Sequence, residues 1–173
     1  LLEAETVDQK RFTEATFKGS RLINGHTVQI RKPGELEFLI SHRFGRINSG
    51  SYEFFGLDGA NIRLGLEYGF FDFITAGVGR NSFDKTYDAL LKVRMLRQSA
   101  GKGSLPISLV YFTSVAYKSL RNQDGFDDTA SKTAYTHQVL IARKFSSSFS
   151  LQLMPTLIHR NRVNEENGDN DLY

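Results

Sequence analysis

The sequence predicts an all-β fold, an antiparallel up-and-down transmembrane β-barrel with about seven or eight strands in this chain. Three observations predict it. Apolar and polar residues alternate with period 2 over many segments, the pattern of a strand with two different faces. Long polar connections alternate with tight turns, as in a meander whose ends differ. Aromatic residues gather at the strand ends, where a membrane barrel carries its interfacial belt.

The strands follow in order. Residues 36–44 place Leu36, Phe38, Ile40, His42 and Phe44 on one face, against Glu37, Leu39, Ser41 and Arg43. Residues 61–70 are the clearest: Ile62, Leu64, Leu66, Tyr68 and Phe70 oppose Asn61, Arg63, Gly65, Glu67 and Gly69. Residues 73–80 set Ile74, Ala76 and Val78 against Thr75, Gly77 and Gly79. Residues 86–98 set Tyr87, Ala89, Leu91, Val93 and Met95 against Asp88, Leu90, Lys92, Arg94 and Leu96. Residues 107–118 are ambiguous; Ser108, Ser114 and Lys118 assign Ile107, Leu109, Tyr111, Val115 and Tyr117 to the apolar face. Residues 134–145 set Tyr135, Val139, Ile141 and Phe145 against Thr136, Gln138, Ala142 and Lys144. Residues 149–160 set Phe149, Leu151, Leu153 and Leu157 against Ser150, Gln152, Thr156 and Arg160. Pro155 inside this last segment removes a ladder hydrogen bond and predicts a bulge or a misplaced boundary. Residues 45–60, 119–131 and 161–170 are the long connections; Phe71-Asp72 and residues 146–148 are tight turns, and residues 99–103 are short.

Composition alone suggests a soluble protein. The chain has 173 residues, net charge +3, fifteen Gly, three Pro, no Cys and no Trp. No run of about 20 apolar residues exists, so no transmembrane helix is predicted. Zero Cys excludes disulfides, thiolate metal sites and a Cys nucleophile. The charge excess is too small to imply nucleic acid. A soluble barrel that points its apolar face inward, around a lipid, is the competing architecture. Strands of roughly 9 to 11 residues, matching the hydrocarbon thickness, together with the end-placed aromatics favour lipid on the apolar face. The belt residues are Phe44, Tyr68, Phe70, Tyr87, Tyr117, Tyr135, Phe145 and Phe149. His42, Arg80, His137, Arg143 and His159 fall on that same face and run against the pattern.

Three stretches carry a resemblance: TFKGSRLINGH at residues 16–26, LEFLISHRFGRINSGSYEFFGLDGANIRLGLEYG at 36–69, and QVLIARKFSSSFSLQLMPTLIHRN at 138–161. Together they resemble an uncharacterised family of bacterial outer-membrane β-barrel proteins, a domain of unknown function. The resemblance runs along nearly the whole chain and implies the bacterial outer membrane. It brings no catalytic motif. Family members continue for several strands beyond the equivalent of Tyr173, and residues 169–173 look like a strand beginning. Seven strands is odd for a bacterial barrel. The expectation is therefore a fragment, the alternative being an eighth strand near the N-terminus.

Candidate chemistry is sparse. The four histidines, His26, His42, His137 and His159, show no metal spacing, and no Gly-x-Ser-x-Gly elbow supports a hydrolase. No metal or cofactor is expected. The loop from Asp124 to Asp128 lacks the ligand spacing of an EF-hand, and the acidic residues 164–171 read as water-facing. Gly77 and Gly79 read as small residues making room inside the barrel. The polar face is the better site: Arg43, Arg63, Glu67, Asp88, Lys92, Arg94, Lys144 and Arg160 are expected to line the lumen, joined by Glu35, Glu37 and Lys118. Glu67 is expected to pair with Arg63 or Arg43. Residues 1–33 form an N-terminal extension, either periplasmic or a lumen plug; residues 34–173 form the strands and loops. Residues 7–17 read as a short helix or an extended segment. Tyr52, Phe54, Phe55 and Leu57 are expected to pack on the barrel mouth or a partner.

The functional expectation is a non-enzymatic outer-membrane barrel. It would pass or bind small polar solutes, or serve as a subunit of an envelope assembly. A lipid hydrolase with a His at the membrane interface and a soluble lipid-binding barrel are the alternatives. The expected partners are the lipid bilayer and other envelope proteins, with no nucleic acid.

Overall fold

The alternation over residues 61–70 is realised as an eleven-residue strand, and its neighbours follow from the same rule. The computed structural model describes residues 9–23, 25–120, 129–161 and 170–173. The long strands are β4 (Leu36–Arg43), β5 (Asn61–Phe71), β6 (Ile74–Asn81), β7 (Thr86–Leu96), β9 (Ser108–Lys118) and β10 (Thr133–Lys144). Short pieces complete the set: β1 (Arg11–Phe12), β2 (Arg21–Leu22), β3 (Gly25–His26), β8 (Ser99–Ala100), β11 (Ser150–Leu153), β12 (Thr156–Arg160) and β13 (Asp171–Leu172). One nine-stranded antiparallel sheet holds the long strands in the order β13-β12-β10-β9-β7-β6-β5-β4, with β11 also paired to β10. Among the described residues the sheet is not closed: β4 and β13 are its edges.

Each strand turns one face outward and covers the other. In β5, Gly65, Glu67 and Gly69 are buried while Leu64, Leu66, Tyr68 and Phe70 stay exposed. The exposed outer face is therefore the apolar one, as the membrane reading requires. Pro155 acts more simply than expected. Ile141 faces Leu153 before it and Gln138 faces Thr156 after it, in unchanged register. The predicted strand over residues 149–160 is thus two strands in line, with no bulge. Its missing N–H leaves a gap in the ladder, while its carbonyl still accepts from the Val139 N–H at 3.1 Å. Register shifts occur elsewhere, between Gly69 and Phe71 and between Arg94 and Leu96.

The inner face is covered by the chain's own N-terminal segment. Its described residues hold no helix, so the helical option for residues 7–17 is not realised where the structure describes it; two short strand pieces flank a series of bends at residues 16–20. Arg11–Phe12 pairs with Ser99–Ala100, and Arg21–Leu22 pairs with Gly25–His26 as a small hairpin. Phe17, Val28 and Ile30 pack against Leu90, Val110, Phe112, Leu140 and Ala142 on the inner face. Apolar residues at those inner positions explain why residues 107–118 alternate poorly: this part of the face meets protein rather than water.

The hairpin also links distant strands. Arg21 bonds Glu67 on β5, while His26, paired with Arg21, bonds Gln152 on β11. In a flat sheet those strands would lie five spacings apart, roughly 24 Å. Three side chains, Arg21, Glu67 and Gln152, and the Arg21–His26 pair thus tie β5 to β11 across the inner face.

Candidate functional site

The polar residues of the inner face separate into two levels. At the tight-turn half they grip the N-terminal segment. The Lys92 Nζ donates to the carbonyl oxygens of Ser20 and Thr27 at 3.1 Å and of Gln29 at 3.2 Å. Lys92 has no exposed surface, so its charge is held by backbone dipoles instead of water. Glu67, also buried, accepts from Arg21 Nη2 at 2.5 Å and Nε at 3.2 Å. Arg31 forms an ion pair with Glu37 and donates to the Ser20 hydroxyl at 2.8 Å, while its N–H donates to the Thr75 hydroxyl at 3.0 Å. Lys144 donates to the Glu14 and Ala15 carbonyls at 2.9 and 3.2 Å. Gln152 donates to the His26 carbonyl and accepts from the Val28 N–H.

His26 is enclosed in this layer. Its ring stacks on Phe112 with centroids 4.2 Å apart, and its Nδ1 is buried with no hydrogen-bond partner among the described residues. Burial first, and then the charges of Lys92, Arg21 and Arg63, push its pKa down to about 2. The ring is therefore neutral at physiological pH.

The expected pairing of Glu67 with Arg63 or Arg43 is not what forms. Arg63 turns instead to Asp88, with Nε 2.8 Å from Oδ1 and a second bond from Nη2 to Oδ2. Two glycines explain this. A Cβ at Gly65 or at Gly79 would collide with the Arg63 guanidinium, so the missing side chains leave the channel that the arginine crosses. Glu67 is left to the arriving Arg21. Gly69 plays the same part for backbone: a Cβ there would overlap the Lys32 carbonyl oxygen.

At the long-loop half the inner face is open. A cavity of about 550 Å³ is lined there by Asp84, Thr86, Lys118, Thr133 and Arg160 among others, with Lys118 bridged to Asp84 at 2.8 Å. Arg160 thus stands apart from the N-terminal segment. Arg43 ends β4 exposed, and Arg94 is half-buried near the tight-turn end of β7. Five of the eight expected inner residues, Arg63, Glu67, Asp88, Lys92 and Lys144, make the contacts just given, and Arg160 lines the cavity. Arg21, Arg31, His26, Gln152 and Thr75 complete the layer. Thr75 and Gln152 already fell on the polar face by alternation, but Arg21, His26 and Arg31 did not stand out, because the N-terminal residues have no alternation to set them on a face. The one available signal was the run of apolar inner residues around Phe112, which calls for an apolar partner.

The outer face resolves its own anomalies. The aromatic residues sit at two levels: Phe44, Tyr87, Tyr117 and Tyr135 toward the long loops, and Tyr68, Phe70, Phe145 and Phe149 toward the tight turns. The unexpected outward polar side chains each have a partner. Arg80 donates to the Tyr87 hydroxyl at 3.2 Å, and Arg143 lies over the Phe145 ring at 4.9 Å. His42 stacks on Phe44, and His159 Nδ1 is 2.7 Å from Asp171 Oδ1. His137 Nδ1 meets the Tyr111 hydroxyl at 2.7 Å and the Thr113 hydroxyl at 3.1 Å. No metal-binding group of His, Asp and Glu occurs among the described residues. The loop from Asp124 to Asp128 and most of the acidic segment at 164–171 lie outside them.

An apolar outer face, aromatic residues at both its edges and a polar inner face describe a membrane barrel. Residues 17–173 match the family described as a membrane-bound β-barrel domain, DUF5777. The chain belongs to this family. The match takes in the hairpin and Lys32 as well as the sheet, so part of the inner layer is family sequence. No curated protein and no solved structure matches the chain. The resemblance seen in the sequence and the barrel fold are both supported by this family, whose function is unknown. No helix among the described residues is long and apolar enough to cross a membrane; a barrel of this family crosses with strands.

Proposed function

We propose that this chain is a non-catalytic β-barrel of the bacterial outer membrane, closed in its tight-turn half by its own N-terminal segment. Small polar solutes bind in the open long-loop half, and passage follows only when the segment moves. The observation that carries this reading is Lys92, a buried inner-face cation whose three hydrogen bonds all end on that segment. A barrel built for unhindered diffusion would leave such a lysine in water. The cavity beside Lys118 and Arg160 supplies the polar vestibule.

The hydrolase alternative has less support. His159 has a carboxylate partner, but among the described residues the hydroxyls that bond a histidine, Tyr111 and Thr113, meet His137 instead. Planar-bilayer recording of the full-length protein tests the proposal. The intact protein is expected to be silent for most of the record, and deletion of residues 1–33 to produce steady discrete steps. Steady conductance of the intact protein, or silence after the deletion, overturns it.

A further inference from the structure

The connection from β4 to β5 was expected to pack on the barrel mouth or a partner; in this chain its apolar residues are exposed. Tyr52 is 95% exposed, Ile47 82%, Phe54 61% and Phe55 56%. These are not the side chains of a loose loop. Two 3-10 turns, Ile47–Ser49 and Ser51–Gly56, are tied together. The Gly45 N–H donates to the Gly56 carbonyl at 2.7 Å, Phe55 to Gly50 at 2.9 Å, and Leu57 to Phe54 at 3.1 Å. Gly56 has φ +86°, and a Cβ there would lie 2.6 Å from the Gly45 carbonyl carbon, so the two arms touch backbone to backbone. Phe54 and Phe55 both hold left-handed backbone, φ +46° and +55°, a region unfavourable for residues with a Cβ. The fold therefore accepts strain at two consecutive residues and holds their rings away from its own core. Stored strain combined with apolar exposure marks a surface made to be covered.

Continuity says what covers it. Phe44 is exposed at the long-loop end of the outward row Leu36, Phe38, Ile40 and His42, and the loop begins at the next residue. On the neighbouring β6–β7 turn, Phe83 is exposed at the same end, next to the Arg80–Tyr87 pair. The loop's aromatic surface is thus an extension of the lipid-facing band past the ends of the strands. Arg46 lies in the loop and Arg80 at its side, cations suited to the headgroup level. We infer that residues 45–57 form a rigid aromatic knob that docks into the interfacial layer of the bilayer on the long-loop side. Its occupant is lipid, and it anchors that rim of the barrel against the membrane.

These 173 residues contain no Trp, and any Trp elsewhere in the full-length protein is replaced by Phe, so one introduced indole reports alone. Tyr52→Trp in the full-length protein is reconstituted at high lipid-to-protein ratio into phosphatidylcholine vesicles, with and without brominated acyl chains. Ile47→Trp serves as a second reporter, and heat-modifiable gel mobility verifies that each variant has folded. The expected result is blue-shifted emission, strongly quenched by bromines near the headgroup and protected from aqueous iodide. Red-shifted emission that iodide quenches overturns the inference. Blue-shifted emission that bromines do not quench also overturns it, because the knob is then buried in protein.

Discussion

The Lys92 ammonium donates to the carbonyl oxygen of Thr27 at 3.1 Å, across 65 residues of chain, and neither residue has any surface open to water. With Ser20 and Gln29 it completes a three-carbonyl cradle. Hydrogen bonds to a charged group contribute about 1.5–3 kcal/mol each in favourable settings. Lys92→Met keeps the stem and removes the charge, taking one donor from each of three carbonyls, of which that of Ser20 keeps the Thr27 N–H. Docking of residues 16–31 is expected to weaken by on the order of 3 kcal/mol, seen as faster amide exchange at Thr27 and Val28. The β9–β10 amides, which lie in the middle of the sheet, should be unaffected. Uniform loosening of both regions would mean that Lys92 supports the sheet rather than the segment.

Gly69→Ala should be more damaging than Gly79→Ala. At position 69 the new methyl meets backbone, the Lys32 carbonyl, which is fixed by the turn that follows it. At position 79 it meets the end of the Arg63 side chain, which can turn aside at the expense of its bond to Asp88. Overpacking against a fixed group costs about 1–3 kcal/mol. The midpoint of urea unfolding in detergent is expected to fall for both variants, and further for Gly69→Ala. Equal midpoints would show that the segment adjusts as freely as a side chain.

These two cases mark where sequence reading succeeds and where it stops. Strand faces were legible because Ile62, Leu64, Leu66, Tyr68 and Phe70 need only a period of two, which is a local property. The inner glycines were legible as space but not as to what fills it. The partner of Glu67 is Arg21, 46 residues away in a segment with no periodicity. Nothing local distinguishes Arg21 from Arg63 or Arg43 as that partner. The loop after Phe44 was legible only in part, for another reason. Its apolar content was plain, but left-handed backbone at Phe54 and Phe55 fixes which way the rings point, and no residue type there announces it.

Acid should loosen the N-terminal segment through His26. Its folded pKa is lowered to about 2, first by burial and then by Lys92, Arg21 and Arg63. Once released into water the ring returns to about 6.5. The released state therefore binds the extra proton, so docking is at full strength above pH 6.5 and weakens as pH falls below it. At pH 5 the loss is roughly 2 kcal/mol. Amide exchange at Thr27 and Val28, corrected for intrinsic rates, is expected to accelerate between pH 7.5 and 5. His26→Gln should remove most of that dependence. An unchanged pH profile in His26→Gln would assign the effect to other groups.

Tyr111 and Thr113 should be coupled through His137 rather than additive. Both hydroxyls converge on His137 Nδ1 from the same strand, at 2.7 and 3.1 Å. This cluster lies on the outward face in mid-strand, where water is scarce and an unpaired ring nitrogen is costly. Tyr111→Phe leaves Thr113 as the partner, and Thr113→Val leaves Tyr111. Each single change should therefore cost about 1 kcal/mol or less. The double variant strips Nδ1 of both partners and should cost more than the two single losses together, by about 1 kcal/mol of coupling. Equilibrium urea titration in phospholipid vesicles measures all four proteins of the cycle. Strict additivity would show that the two hydroxyls act independently of the histidine, and that the outer face tolerates His137 by other means.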